Sequence, residues 1–177
     1  MKKLWKISIP ILLILVIVLG FLYRDTLKER LGSLTVQETD LSHLTYDRLS
    51  LGHQFKPDSS YVKQEGDTAK LNDYNHRGMN AFYVTTTADN NIVGLKLVDK
   101  VHGCRSHFDN GLAMGMTLNN VKQLLGTHYI TFNTDRYGKV AMYIDKKHNN
   151  KLLLGLSQHD QVTAIILFNK RQYDYQY

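Results

Sequence analysis

Four side chains that bind metals or do thiol chemistry fall within one short segment: His102, Cys104, His107 and Asp109. Imidazole, thiolate and carboxylate are all zinc donors, and short spacings can chelate. A thiol between two imidazoles and next to Arg105 also has the surroundings that lower a cysteine pKa. These four residues are therefore the candidate metal or thiol site. Against it, structural zinc takes two separated ligand pairs, and no second pair stands out in the chain. A polar segment joining two folded units also faces water without any chemistry in it.

The remaining histidines (43, 53, 76, 128, 148, 159) form no motif, and His148 and His159 fall in turns where exposure is expected. Asp73, His76 and Arg77 make a trio of a kind that arises often by chance. No nucleophile elbow, phosphate-binding loop or dinucleotide fingerprint is present, and residues 145–150 lack the acidic spacing of a calcium loop. The chain is therefore expected to be no enzyme and to need no cofactor. Tyrosines alternate with polar residues over 172–177, ending at Tyr177. Tyrosine offers contact area at low entropic cost, so Tyr173 and Tyr175, with the strand residues Tyr83 and Tyr143, are the candidate binding residues.

The elements that must position these groups begin with an apolar run, ISIPILLILVIVLGFLY, over residues 7–23. Its length corresponds to about 25 Å of helix, near the roughly 30 Å of a bilayer core. Lys2, Lys3 and Lys6 precede it and Arg24 follows. No small-residue cleavage site follows. The expectation is a transmembrane signal anchor at 7–23, with 1–6 cytoplasmic, 24–45 a stalk and the rest outside the cell. Lys and Arg alone do not orient it, since Arg24, Lys28 and Arg30 balance the three lysines; the short N-terminus and large following domain do. The single cysteine suits an exported protein and excludes an internal disulfide framework. Three of the 22 Lys and Arg precede the run, so their excess over 16 Asp and Glu beyond it is slight, about three charges. That is too mild for a nucleic-acid partner.

Beyond the stalk, Thr117 stands as an N-cap ahead of Leu118, Val121, Leu124 and Leu125, one helical stripe closed by Gly126. Strands are expected at 139–145, 151–157 and 162–169, separated by polar turns. An earlier strand at 80–87, a hairpin turn and a strand from 91 to 100 repeat the same grammar. Residues 49–52 (LSLG) resemble 112–115 (LAMG), and 91–100 resemble 161–170. The reading is an α+β protein: a transmembrane helix, then two divergent helix-plus-antiparallel-meander units, at about 46–100 and 110–170, sharing one core within a 46–170 domain, and a tail at 171–177. Helix Arg24 to Leu31 is expected to stop at Gly32.

The second unit resembles the CAP-associated domain of Gram-positive envelope proteins. The likeness rests on the capped helix from Gly115 to Gly126, Tyr143 in its strand, Leu153-Leu-Gly-Leu156, and Gln161-Val-Thr-Ala164; Phe82-Tyr-Val84 and the strand from Ile92 look like the other half. The proline usual after Leu-Gly is missing, as is the tryptophan usual in the first strand, and no CAP domain follows, so that partner's activity does not carry over. At fold level the grammar is also similar to the tandem units of beta-lactamase inhibitor protein. The functional expectation is a membrane-anchored, extracytoplasmic, non-catalytic binding or scaffolding module. Its partner would be a protein or a cell-envelope component, contacted through a sheet face that holds Tyr83 and Tyr143; alternatives are the metal or thiol site around Cys104, and regulation of a membrane partner through the 7–23 helix.

Overall fold

The computed structural model describes residues 12, 15–18, 20, 23–64, 70–78, 81–98, 107–173 and 175–177. The elements in chain order are α1 (Arg24–Thr35), β1 (Tyr61–Lys63), β2 (Leu71–His76), β3 (Phe82–Thr87), β4 (Ile92–Val98), α2 (Leu118–Leu125), β5 (Ile130–Thr134), β6 (Gly138–Asp145), β7 (Asn150–Leu156) and β8 (Val162–Asn169). The eight strands form one antiparallel sheet in the order β1-β2-β3-β4-β8-β7-β6-β5.

This corrects the expected fold class. Instead of two helix-backed meanders behind a membrane helix, the described residues form mainly a single continuous sheet with few helices. The second half carries its helix, α2, but the described residues ahead of β1 in the first half are turns and isolated bridges. The physical reason is local. Asp47 and Arg48 both take positive φ, 48° and 65°, inside a two-residue hairpin closed by reciprocal Tyr46 and Leu49 backbone bonds of 2.9 Å. Positive φ at both central positions is the turn geometry of a tight hairpin and is incompatible with a right-handed helix.

The membrane reading is corrected as well. Residues 7–23 lie largely outside the described residues, and among the described residues no helix is long and apolar enough to cross a membrane. The anchor, the single-pass localisation and the envelope placement drawn from them are therefore withdrawn. Helix α1 (RDTLKERLGSLT) is charged through Arg30 and buries no residue. Nor does it stop at Gly32. A Cβ there would lie 2.7 Å from Ile130 Cγ2, so this glycine lets the helix backbone approach β5.

α2 forms where the stripe placed it. Thr117 Oγ1 accepts from the Asn120 amide at 3.4 Å, Gly126 ends the helix, and Leu118, Val121 and Leu125 are buried; Leu124 is 39% exposed. An eight-residue helix is not stable alone, so burial of this stripe on the sheet holds it. With it on the same face lie Leu41, Leu44, Tyr46, Phe55, Phe108 and Leu112. The other face carries Phe132, Val140, Met142, Ile144, Leu153, Ile166 and Phe168, covered by Tyr175 and flanked by Val36, Tyr137, Tyr173 and Tyr177.

Candidate functional site

The β6–β7 hairpin ends in the pair Asp145 and Asn150, with Asn149 at φ 58° closing the loop. Asp145 is 2% exposed. Its Oδ1 accepts from the His148 amide at 2.9 Å, and its Oδ2 lies 2.7 Å from His148 Nδ1 and accepts from the Leu41 amide at 3.0 Å. The chain after α1 is brought to this point by two contacts. The Thr39 amide donates to Ile144 O at 2.9 Å, and Lys146 Nζ donates to Leu34 O and Val36 O at 3.1 and 2.8 Å, a cation on carbonyls at a helix C-terminus. Asp40 is then held by its own turn, with Oδ1 accepting from the Ser42 amide at 2.9 Å and the Ser42 hydroxyl at 2.6 Å.

One donor atom each from Asp40, Asp145 and His148 converge to within 4.8 Å of one another. Both carboxyls are held below the ordinary carboxylate value. For Asp145, burial pushes upward, but the amide and imidazole of His148 and the Leu41 amide outweigh it. For Asp40 the Ser42 hydroxyl and amide are the cause. Beside them opens a cavity of about 250 Å³ lined by the apolar Leu41, Leu44, Leu51 and Leu167 and by the polar Ser42, His148, Asn150, Asn169 and Gln172. Asn169 Nδ2 donates to His148 O and Asn150 Oδ1, each at 3.0 Å, which ties these polar lining residues to one another. A second cleft, about 430 Å³, lies between α1 and β5 and is lined by Asp25, Glu29, Asp135, Tyr23 and Tyr177 among others. Glu29 there is already bound by Lys151 and by the Tyr177 hydroxyl.

Of the residues singled out in the sequence, His102 and Cys104 lie outside the described residues. His107 is exposed and bridges through its backbone to Ala113. Asp109 is exposed; it accepts from the Thr45 hydroxyl at 2.6 Å and the Arg48 amide at 3.3 Å, and the Thr45 hydroxyl lowers its pKa. It ties the 107–113 turn to the Tyr46 hairpin. Tyr83 and Tyr143 do not share a face. Register carries Tyr83 through Lys96 and Ile166 to Leu153 and Met142, one residue out of step with Tyr143, and a one-residue step changes face. Tyr83 is half-buried, with Lys96 Nζ 4.2 Å above its ring. Tyr143 is wholly buried, donates to Gly126 O at 3.0 Å, and has its phenol pKa raised by burial and by Tyr129. Tyr173 and Tyr175 pack on Phe168, with centroids 6.3 and 5.5 Å away. Tyr175 is buried, and its hydroxyl meets that of Tyr137.

The Asp40, Asp145 and His148 group was not visible in the sequence. Its one local sign was the Asp-x-x-His spacing across a turn, since His148 is half-buried rather than simply exposed. No protein-family model, curated protein or solved structure matches the chain.

Proposed function

We propose that this domain is a non-catalytic binding module and that its ligand seat is the cavity between the 41–52 segment and the β6–β7 hairpin. The observation that carries the reading is one hollow lined both by the leucines Leu41, Leu44 and Leu167 and by the polar residues His148, Asn150 and Asn169, the last of which is bonded to the other two. Ligand sites are typically apolar hollows with a few placed polar groups. The volume suits a compact ligand, or one protruding side chain of a protein partner, with an apolar body and a head that exchanges hydrogen bonds with amides. Nucleic acid is not the partner in this reading, given the slight excess of positive charge. The resemblance to the CAP-associated domain remains part of the proposal, as a module that binds rather than reacts.

The test is a fragment screen on the full chain, read by amide chemical shifts. Fragments with an apolar ring and an amide or hydroxyl head are expected to shift Ser42, His148 and Asn150. Gln172 is exposed on the cavity rim, and Gln172→Trp is expected to abolish those shifts by filling the hollow. Hits that shift other surfaces, or that survive Gln172→Trp unchanged, overturn the assignment.

A further inference from the structure

We propose that Asp40, Asp145 and His148 form a binding site for a divalent ion of the Zn²⁺ type, joining the segment after α1 to the β6–β7 hairpin. The donor set points to the ion class. One imidazole with two carboxylates suits zinc and its first-row neighbours, whereas calcium and magnesium take oxygen alone. It is the one group of at least three such side chains among the described residues whose donors converge this closely.

The hairpin by itself accounts for the contact between Asp145 and His148, since an aspartate opening a turn accepts from the residue three further on. It does not account for Asp40, which comes from a distant part of the chain and places a second carboxylate against the first. With a neutral imidazole the group carries two negative charges, and with a protonated one it still carries one. Like charges this close repel, yet each carboxylate is fixed in place by donors of its own, Asp145 by the His148 and Leu41 amides and Asp40 by the amide and hydroxyl of Ser42. Asp145 is also among the most buried charged groups described, and buried charges are paired or coordinate metals. A divalent ion completes the balance.

The donor atoms lie within 4.8 Å of one another and must reach a common spacing. Tetrahedral zinc with bonds of about 2.0–2.1 Å holds its ligand atoms roughly 3.4 Å apart. The 2.7 Å separation of His148 Nδ1 and Asp145 Oδ2 must therefore open by well under an ångström, which a half-exposed loop imidazole allows. On binding, the ion takes the place of any proton on His148 Nδ1: from an imidazolium that proton leaves to solvent, and in a neutral ring the single hydrogen sits on Nε2, reached by exchange with water. Three protein donors leave a coordination position for water, the arrangement of an open rather than a closed zinc site.

The inference goes beyond the cavity reading and does not depend on it: Gln172→Trp fills the hollow and leaves all three donors, so fragment binding and metal binding fail separately. The experiment is calorimetric titration of the full chain, untagged and stripped with chelator, with Zn²⁺ and, as control, Ca²⁺. A Cys104→Ala background removes the competing thiol. One Zn²⁺ per chain is expected, with a rise in Tm and no Ca²⁺ binding at the same concentrations. Asp40→Asn and His148→Gln each change a side chain outside the core, so the metal-free fold is expected to persist by circular dichroism while Zn²⁺ affinity falls at least tenfold. Absence of a stoichiometric site in the Cys104→Ala chain, or unchanged affinity in both variants, overturns the proposal.

Discussion

The two faces of the sheet are built from the same strands by alternate residues, yet they are sealed in different ways. The first is closed by three pieces from different parts of the chain: α2, the 41–55 segment with its Tyr46 hairpin, and the 107–113 turn, all meeting in one cluster. The second is closed over its apolar half chiefly by the Tyr173–Tyr177 segment, with α1 along the β5 edge. At Gly94 a Cβ would stand 2.9 Å from Tyr173 Cε1, so β4 is bare where the aromatic ring lies on it. The lesson is that the first face defines the fold, because its cover is itself fixed by backbone bonds to the sheet. The second face is a finishing layer that a few aromatic side chains supply.

The comparison breaks hardest at Phe82. Its ring is fully buried and stacks on Tyr46 at 4.1 Å and 24°, with Phe108 edge-on to Tyr46 at 5.5 Å. Phe82→Ala empties the place where the Tyr46 hairpin, backed by Phe108, sits on the sheet and is expected to cost about 4 kcal/mol, measured by urea denaturation. A loss under about 1 kcal/mol would mean that the first face is not the fold's foundation.

Removing residues 173–177 is the matching test on the second face. Tyrosine burial there contributes several kcal/mol by area, and much of it is offset by the entropy of ordering the segment. The net loss is expected to be about 2–3 kcal/mol, with a cooperative transition retained and binding of a hydrophobic dye to the uncovered Phe168 and Ile166. Complete unfolding would place both faces on an equal footing.

These contrasts explain what the sequence revealed. α2, β6 and β8 were legible because their apolar residues are spaced at the period of the element and bounded by caps or turns, as with Thr117 and Gly126. β1 (YVK) and β2 (LNDYNH) were not, being short and polar strands toward one edge of the sheet. β5 was hidden because ITFNT follows closely on a helix end and alternates weakly. Tyr83 and Tyr143 each looked like a strand tyrosine, but which face each took depended on registers across five strands, and that is tertiary information. The same holds for the candidate metal donors. Asp145 and His148 are three apart and share a turn, while Asp40 reaches them only because Thr39 bonds to Ile144.

That junction gives the smallest and most specific test of how the first face keeps its cover. Asp145 binds the Leu41 amide from within the sheet's end, so it tethers the 36–44 segment through a buried carboxylate. Asp145→Asn, studied with chelator present so that no ion takes part, keeps one acceptor oxygen but turns an amide group toward donors. It is expected to cost about 1–2 kcal/mol at pH 7. The dependence on pH identifies the cause. The folded pKa of Asp145 is below the ordinary value of 3.8, so its stabilisation is fully present above that value and is lost as pH falls through the lower, folded one. The difference in Tm between wild type and variant should therefore not shrink between pH 7 and about 4.5, where any protonation of His148 only strengthens its pair with Asp145, and should shrink below that. A gap that instead persists unchanged into acid would mean that shape, not charge, holds the segment down.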